Sequence, residues 1–153
     1  MGVEIERKFL LKDDSWKGLA EPERYIQGYL SKGKNTVRIR TVGSRAYLTV
    51  KGVTVGLTKP EFEYDIPLKD GELLLENLCE KPFIEKNRYK IPFEGHIWEV
   101  DVFFKENDGL CLAEVELDSE DESVTLPSWI GEEVSGDHRY SNSNLVKMPF
   151  CSW

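Results

Sequence analysis

Charged and apolar residues alternate along much of this chain, and this alternation limits its fold more than any other feature. The stretch Glu4-Ile5-Glu6-Arg7-Lys8 places two acids and a lysine at every second position. Because successive side chains of a strand point to opposite faces of a sheet, this stretch predicts a strand with one ionic face. Arg7 falls on the other face, beside the apolar Ile5, in spite of its charge.

The same alternation recurs in later stretches, and the charges come in blocks of one sign. Like charges at neighbouring positions repel each other unless something binds them. An ordinary half-buried sheet also has a solvated, charged face. Such faces use Thr, Ser, Gln and Asn freely, however, whereas these positions are almost all ionic, so we interpret them as the interior of a barrel. They are Arg38 and Arg40, Lys51, Glu61 and Glu63, Lys86 and Arg88, Glu99 and Asp101, and Glu114 and Glu116.

Short turns separate the alternating stretches, so consecutive strands are expected to pair antiparallel. The predicted fold class is α+β, predominantly β: an eight-stranded antiparallel closed barrel, a tunnel with a charged interior and a few helices packed outside. We expect a single domain over residues 1–153. The strands are predicted at 3–12, 24–31, 35–42, 46–52, 60–66, 83–92, 96–104 and 110–118, and the helices at 70–78, 119–124 and 141–147.

The overall charge and the lengths of the apolar runs exclude several classes of function. A formal net charge of −8 over 153 residues is unsuited to general nucleic-acid binding, which needs basic surfaces. No apolar run approaches the ~18 residues of a membrane helix, and the charged N-terminus is unlike a secretory signal. The cysteines are too few and too far apart for a disulfide framework. We expect a cytoplasmic protein that binds neither nucleic acid nor membrane, as a monomer or a homodimer.

An interior that combines acidic and basic strands has a consistent chemistry. Clustered carboxylates suit hard divalent cations such as Mg²⁺ or Mn²⁺. Clustered Arg and Lys suit phosphoryl oxygens, because Arg can fork onto two oxygens and Lys acts as a point charge. The two together predict a site for a polyphosphate and its metal ion.

A strand of the form Glu-x-Glu-x-Lys at the extreme N-terminus, here Glu4, Glu6 and Lys8, is a recognisable motif. Further blocks follow it in order over nearly the whole chain: Gln27-Gly28-Tyr29-Leu30, Val37-Arg38-Ile39-Arg40, Leu48-Thr49-Val50-Lys51, Glu61-Phe62-Glu63, Glu85-Lys86-Asn87-Arg88-Tyr89, Trp98-Glu99-Val100-Asp101-Val102-Phe103, Ala113-Glu114-Val115-Glu116-Leu117 and Asp137-His138-Arg139-Tyr140. Together they resemble the CYTH superfamily, the triphosphate tunnel metalloenzymes, and most closely the compact bacterial inorganic tripolyphosphatases.

The resemblance implies roles for individual residues of the interior. A Mg²⁺ or Mn²⁺ ion would be bound by Glu4, Glu6 and Glu116, assisted by Glu114, with Glu61 or Glu63 holding a second ion. The triphosphate would be bound by Lys8, Arg38, Arg40, Lys51, Lys86, Arg88 and Arg139. Tyr29 and Lys86 would help to activate the attacking water, provided that their neighbours lower pKa values that are ordinarily ~10 and ~10.4.

The implied function is metal-dependent hydrolysis of linear inorganic triphosphate, with side activity on nucleoside triphosphates. A class IV-type adenylate cyclase or a thiamine triphosphatase would bind the triphosphate with the same residues. A non-catalytic polyphosphate-binding module would keep the Arg and Lys residues but could lose the acids that bind the metal. We expect Glu99 and Asp101 to pair with neighbouring bases rather than bind metal. No ligand role is expected for Lys59, which precedes Pro60 at a strand start. His96 is expected to be exposed at a turn, and His138 is expected to be structural.

Overall fold

The computed structural model describes residues 2–153 and consists mainly of antiparallel strands. Helix α1 spans Leu68–Asn77 and helix α2 spans Asn142–Lys147, with 3₁₀ turns at Lys105–Asn107, His138–Tyr140 and Phe150–Ser152. The strands are β1 Val3–Leu11, β2 Pro22–Lys32, β3 Thr36–Val42, β4 Arg45–Lys51, β5 Thr58–Ile66, β6 Glu80–Phe93, β7 His96–Phe103, β8 Cys111–Glu116 and β9 Ile130–Glu133.

Strands β1 to β8 form a closed ring in the order β1-β5-β4-β3-β2-β6-β7-β8, which confirms the predicted eight-stranded antiparallel barrel. The ring closes where the first half of β1 pairs with β5. Three residue pairs make this contact: Val3 with Pro60, Glu4 with Lys59, and Ile5 with Thr58. The second half of β1 pairs instead with β9, at Phe9 opposite Glu133. Strand β9 was not predicted. It has only four residues, and they show too little alternation of charged and apolar side chains to be recognised as a strand.

The helix predicted at 119–124 is wrong, and this segment forms turns. The Asp118 N–H donates to the Glu122 carboxylate at 2.6 Å, and the Ser119 hydroxyl donates to Asp121 at 2.8 Å. Such local side-chain bonds compete with the helical pattern. The acidic residues that suggest a helix start therefore fold the segment into turns.

The other two predicted helices are confirmed and pack against the barrel. Helix α1 lies over β3 and β4. A Cβ at Gly71 would approach the Cβ of Ala46 to 2.6 Å, so only glycine allows this close packing. Helix α2 is capped by Ser141, whose side chain accepts from the Asn144 N–H at 3.3 Å. Among residues 2–153, no helix has the length and apolar character needed to cross a bilayer.

The buried apolar residues pack in three clusters, two outside the ring and one at one end of its interior. Outward-facing Phe9 and Trp98 pack with Trp129 from the segment before β9, and Ile39 packs with Leu75 beneath helix α1. Inside the barrel, apolar side chains from several strands meet Leu145 and Val146 of α2, so one end of the tunnel has an apolar floor. The floor is formed by Tyr29, Ile84, Phe103, Leu112, Tyr140, Leu145 and Val146.

Candidate active site

The ionic interior of the barrel is a cavity of about 300 Å³ above the apolar floor. The predicted alternation is confirmed, because charged side chains from seven of the eight barrel strands point into this space. A neighbouring cavity of about 270 Å³ shares Glu4, Glu6 and Lys8, so β1 is also reached from the side, between β5 and β9. The charged lining consists of Glu4, Glu6, Glu61, Glu63, Glu99, Glu114 and Glu116 with Lys8, Arg38, Arg40, Lys51, Lys59, Arg88 and Lys90.

Three carboxylates face each other across the β1–β8 pair. Glu6 is the direct partner of Glu116, and Glu114 lies opposite Lys8. Burial and the Glu114 charge raise the pKa of Glu6 well above its usual value. Burial and the Glu99 charge raise the pKa of Glu116 to about 7. Among the described residues, neither Glu6 nor Glu116 has a cation within ion-pair distance, so this wall has no base of its own to balance their negative charge when they ionise.

The carboxylate of Glu4 is held by Lys51, whose ammonium lies 3.0 Å from Glu4 and 3.2 Å from Glu61. Burial and Glu4 raise the pKa of Glu61. Over the part of the chain that the structure describes, no three His, Cys, Asp or Glu side chains are already arranged to hold a metal ion. The donors suit a hard cation chemically, but their side chains would have to converge on it.

Glu63 and Arg38 form a separate unit on the opposite wall. The Arg38 guanidinium donates to the Thr49 hydroxyl at 3.2 Å and to Glu63 at 3.4 Å. Thr49 donates to the same Glu63 oxygen at 2.7 Å. Glu63 is therefore occupied by Arg38 and Thr49 and is less available to a metal than Glu61.

Asp101 lies at the centre of a buried ion network. It accepts from Lys86 at 2.8 Å and from two nitrogens of Arg88 at 2.8 Å each. Arg88 also lies 3.3 Å from Glu99. The expected pairing of Glu99 and Asp101 with bases thus agrees with the geometry.

Lys86 differs from its predicted role, because it does not line the cavity. Its side chain is 0% exposed and lies behind Asp101. Burial lowers its pKa to about 7, and Asp101 opposes that shift. The predicted contact of Lys86 with the triphosphate or the attacking water therefore stays a prediction, and this arrangement places the side chain against Asp101 instead. Tyr29, the other predicted water-activating residue, does line the cavity at the floor.

The side chain of Arg139 also lies outside the cavity. The guanidinium forks onto Asp137, with the shortest contact at 2.7 Å, and is 62% exposed. It also lies over the Trp153 ring, 5.1 Å from the centroid. Both contacts hold Arg139 against the C-terminal segment, so its predicted role as a phosphate ligand is not supported by this arrangement.

Several cavity residues were missed by the sequence reasoning. Lys59 lines the space beside Glu4 and, among residues 2–153, has no acidic partner within ion-pair distance. Burial and the Lys51 charge lower its pKa. The signal was present, since Lys59 has the same parity as Glu61 and Glu63. Lys90 also lines the cavity, and its parity matches that of Arg88.

Comparisons with known proteins agree with this architecture. The profile of the CYTH domain family matches residues 2–147. The chain is 52% identical over 151 residues to an inorganic triphosphatase of Acetivibrio thermocellus, with 98% of this chain and 97% of the relative covered. It is 39% identical over 151 residues to an inorganic triphosphatase of Nitrosomonas europaea, with 94% and 97% covered. The crystal structure of an inorganic triphosphatase aligns with a TM-score of 0.67 at 34% identity, covering 94% of this chain and 93% of that one.

Proposed function

This chain belongs to the CYTH domain family, and we propose that it is a metal-dependent triphosphatase that hydrolyses linear inorganic triphosphate. One observation carries the proposal: a single cavity holds acids without cations and bases without acids. Glu6 and Glu116 are the unpaired acids, and Lys8, Arg40 and Lys59 are the bases without a carboxylate partner among the described residues. A metal–triphosphate complex would satisfy both sets at once.

The relatives support the same substrate class. Two proteins that align with this chain over nearly their whole length are inorganic triphosphatases. The cavity also has the dimensions of a small-molecule site, at about 300 Å³. A compact, highly charged anion suits such a polar space better than an apolar ligand would.

We assign the metal to the acidic side of the cavity, as Mg²⁺ or Mn²⁺. Carboxylate oxygens are the ligands that these ions prefer, and the uncompensated charge at Glu6 and Glu116 would be neutralised by a divalent cation. When bound, the ion would act as a Lewis acid that withdraws charge from phosphoryl oxygens. The residues that would hold it are Glu4, Glu6 and Glu116, with Glu114 assisting and Glu61 released from Lys51 for a second ion.

The bases on the remaining walls would bind the triphosphate. Phosphoryl transfer needs mainly positioning and charge neutralisation, which fixed Arg and Lys side chains supply. We add Lys59 to the predicted set and leave out Lys86 and Arg139, whose side chains lie elsewhere. The assigned ligands are Lys8, Arg38, Arg40, Lys51, Lys59 and Arg88. Tyr29 could orient the attacking water through its hydroxyl, since it lines the cavity at the floor.

A substrate panel tests the proposal. Phosphate release would be measured from tripolyphosphate, pyrophosphate, ATP and thiamine triphosphate, each with Mg²⁺, Mn²⁺ or Ca²⁺ and with a chelator. We expect the fastest release from tripolyphosphate and none with the chelator. Cyclic nucleotide and pyrophosphate from ATP would favour a cyclase instead. Tight tripolyphosphate binding without any release would identify a binding module and overturn the proposal.

A further inference from the structure

Arg40 is bound by the protein in a different way from the other two arginines of the cavity. Arg38 contacts Glu63, and Arg88 contacts Asp101 and further acids. Among residues 2–153, Arg40 has no carboxylate within ion-pair distance. Its Nε instead donates to the side-chain oxygen of Gln27 at 3.0 Å. The charge of Arg40 is therefore left uncompensated by its own protein.

Among the described residues, the Gln27 side chain forms a hydrogen bond with Arg40 alone. The two residues are direct partners across the β2–β3 pair, and the Gln27 side chain is 0% exposed. The amide oxygen is used by Arg40, while the amide nitrogen has no partner among the described residues. A glutamate has nearly the same shape as glutamine and would neutralise Arg40. The neutral amide orients the guanidinium without neutralising it.

Tyr25 supplies a second contact to Arg40 that also lacks negative charge. The Arg40 guanidinium lies 4.9 Å from the centroid of the Tyr25 ring, and the Arg88 guanidinium lies 5.0 Å from it. The ring is only 5% exposed, so it contacts both cations inside the barrel. Stacking on an aromatic face favours a guanidinium and fixes its plane.

We infer that Gln27 and Tyr25 are positioning residues that keep Arg40 oriented and uncompensated, so that its charge is available to a phosphoryl group of the triphosphate. Gln27 is also the direct partner of Ile84, and Tyr29, two residues further along β2, is the direct partner of Arg38, so both arginines lie close to the floor. The inference rests on the proposed function and deepens it.

The test uses Gln27→Glu, which keeps the shape of the side chain and adds a carboxylate beside Arg40. The affinity for tripolyphosphate in the presence of a chelator would be measured by calorimetry, and KM and kcat by phosphate release with Mg²⁺. We expect Kd and KM to rise roughly tenfold or more, because hydrogen bonds to charged groups are among the stronger ones. The thermal midpoint should stay equal to that of the wild type or exceed it, since the new ion pair replaces a neutral contact.

Gln27→Met provides a second variant, because it removes the acceptor without adding charge. Its Kd should rise less than that of Gln27→Glu, which separates neutralisation of Arg40 from loss of its orientation. Tyr25→Leu removes the aromatic face and should bind tripolyphosphate more weakly. Ile91→Val is the matched control: Ile91 is a buried residue of β6 that packs in the apolar cluster outside the ring, so this change should lower the thermal midpoint while leaving KM unchanged.

Two results would overturn the inference. One is an unchanged Kd and KM in Gln27→Glu. The other is a parallel loss of stability and affinity in Gln27→Glu, Gln27→Met and Ile91→Val, which would make Gln27 merely structural. Absence of hydrolysis by the wild type would overturn the proposed function alone, because the binding measurement with chelator would still report on Gln27 and Arg40.

Discussion

Two acidic centres face the interior of this barrel from neighbouring strands, and they differ in how their charge is balanced. Asp101 on β7 receives three hydrogen bonds of 2.8 Å from Lys86 and Arg88. Glu6 and Glu116, paired across β1 and β8, have no such cation among residues 2–153. The charge of Asp101 is balanced within the protein, whereas the charges of Glu6 and Glu116 would be balanced by a bound ligand. The balance of charge, rather than its amount, therefore distinguishes a structural network from a candidate site.

The largest expected effect is the loss of activity in Glu6→Gln. This variant removes one carboxylate from the uncompensated group, and the charge stabilisation by a metal is worth several kcal/mol. We expect kcat/KM for tripolyphosphate to fall on the order of a thousandfold, since about 1.4 kcal/mol corresponds to a factor of ten. The free energy of unfolding in chelator should not decrease, because repulsion among Glu6, Glu114 and Glu116 is reduced.

Phosphate release and urea unfolding would be measured on the same samples, with Glu23→Gln as the control. Glu23 is exposed and lies 3.9 Å from Lys90, so its replacement should leave both quantities nearly unchanged. A large loss of stability in Glu6→Gln would contradict the comparison, since it would place Glu6 in the same class as Asp101.

Asp101→Asn should have the opposite profile, with a large effect on stability. It leaves Lys86 and Arg88 buried without their counter-charge, and breaking a buried pair in this way costs about 3–5 kcal/mol. Urea unfolding would measure the loss. Asp65→Asn is a matched control, because Asp65 is also a strand aspartate that pairs with an arginine, Arg45, but at an exposed position. Its loss should stay below about 1 kcal/mol. Equal losses in both variants would show that burial of the Asp101 network is not what stabilises it.

The pH dependence of stability should report on Lys86. Its pKa is lowered from 10.5 to about 7, mainly by burial, in surroundings that include Asp101, Arg88, Arg40 and Glu114. Between these two values the unfolded chain binds more protons at this lysine than the folded chain does, so stability rises with pH. The free energy of unfolding of the wild type relative to Lys86→Met should therefore increase from pH 7 toward pH 10. No change over this range would show that Asp101 keeps Lys86 fully charged, since the folded and unfolded chains would then bind the same proton.

The alternation of charges was sufficient to predict the barrel and its ionic interior. A period of two assigns each side chain to a face directly, so Glu4, Glu6 and Lys8 could be placed inside and Arg7 outside. The structure agrees, since Arg7 forks onto Glu133 at 3.0 and 2.8 Å on the outer side. The helix predicted at 119–124 failed because local hydrogen bonds of Asp118 and Ser119 compete with the helix.

Apart from the expectation that Glu99 and Asp101 pair with bases, the individual ion pairs of the interior could not be predicted, because they depend on the register between strands. Whether Lys86 reaches the cavity or lies behind Asp101 follows from how β6 and β7 align, at Arg88 opposite Asp101. The register between these strands cannot be deduced from a single sequence. Alternation indicates which charges point inward, and it does not indicate which of them neutralise each other.

Lys59→Met tests a residue that the alternation places inside the barrel, although no ligand role was expected for it from the sequence. Lys59 has no acid to neutralise it within the described chain, so its charge is available to the substrate. We expect KM for tripolyphosphate to rise roughly tenfold, which corresponds to one charge-assisted hydrogen bond. Lys69→Met on the exposed face of α1 is the control and should leave KM unchanged. An unchanged KM in Lys59→Met as well would restrict the phosphate ligands to the predicted residues.

Arg139→Gln has the smallest expected effect and decides whether the exposed position of Arg139 persists when substrate is bound. Its pair with Asp137 is exposed, so the loss of stability should stay below about 1 kcal/mol. If Arg139 remains on Asp137 and Trp153, KM for tripolyphosphate should change less than about twofold. Asp137→Asn would then also have little effect. A large rise in KM in Arg139→Gln, together with a lower KM in Asp137→Asn, would instead show that substrate draws Arg139 away from Asp137. That result would support the prediction from the sequence that Arg139 binds the triphosphate. It would also mean that Arg139 lies outside the cavity only because Asp137 competes with the substrate for its guanidinium.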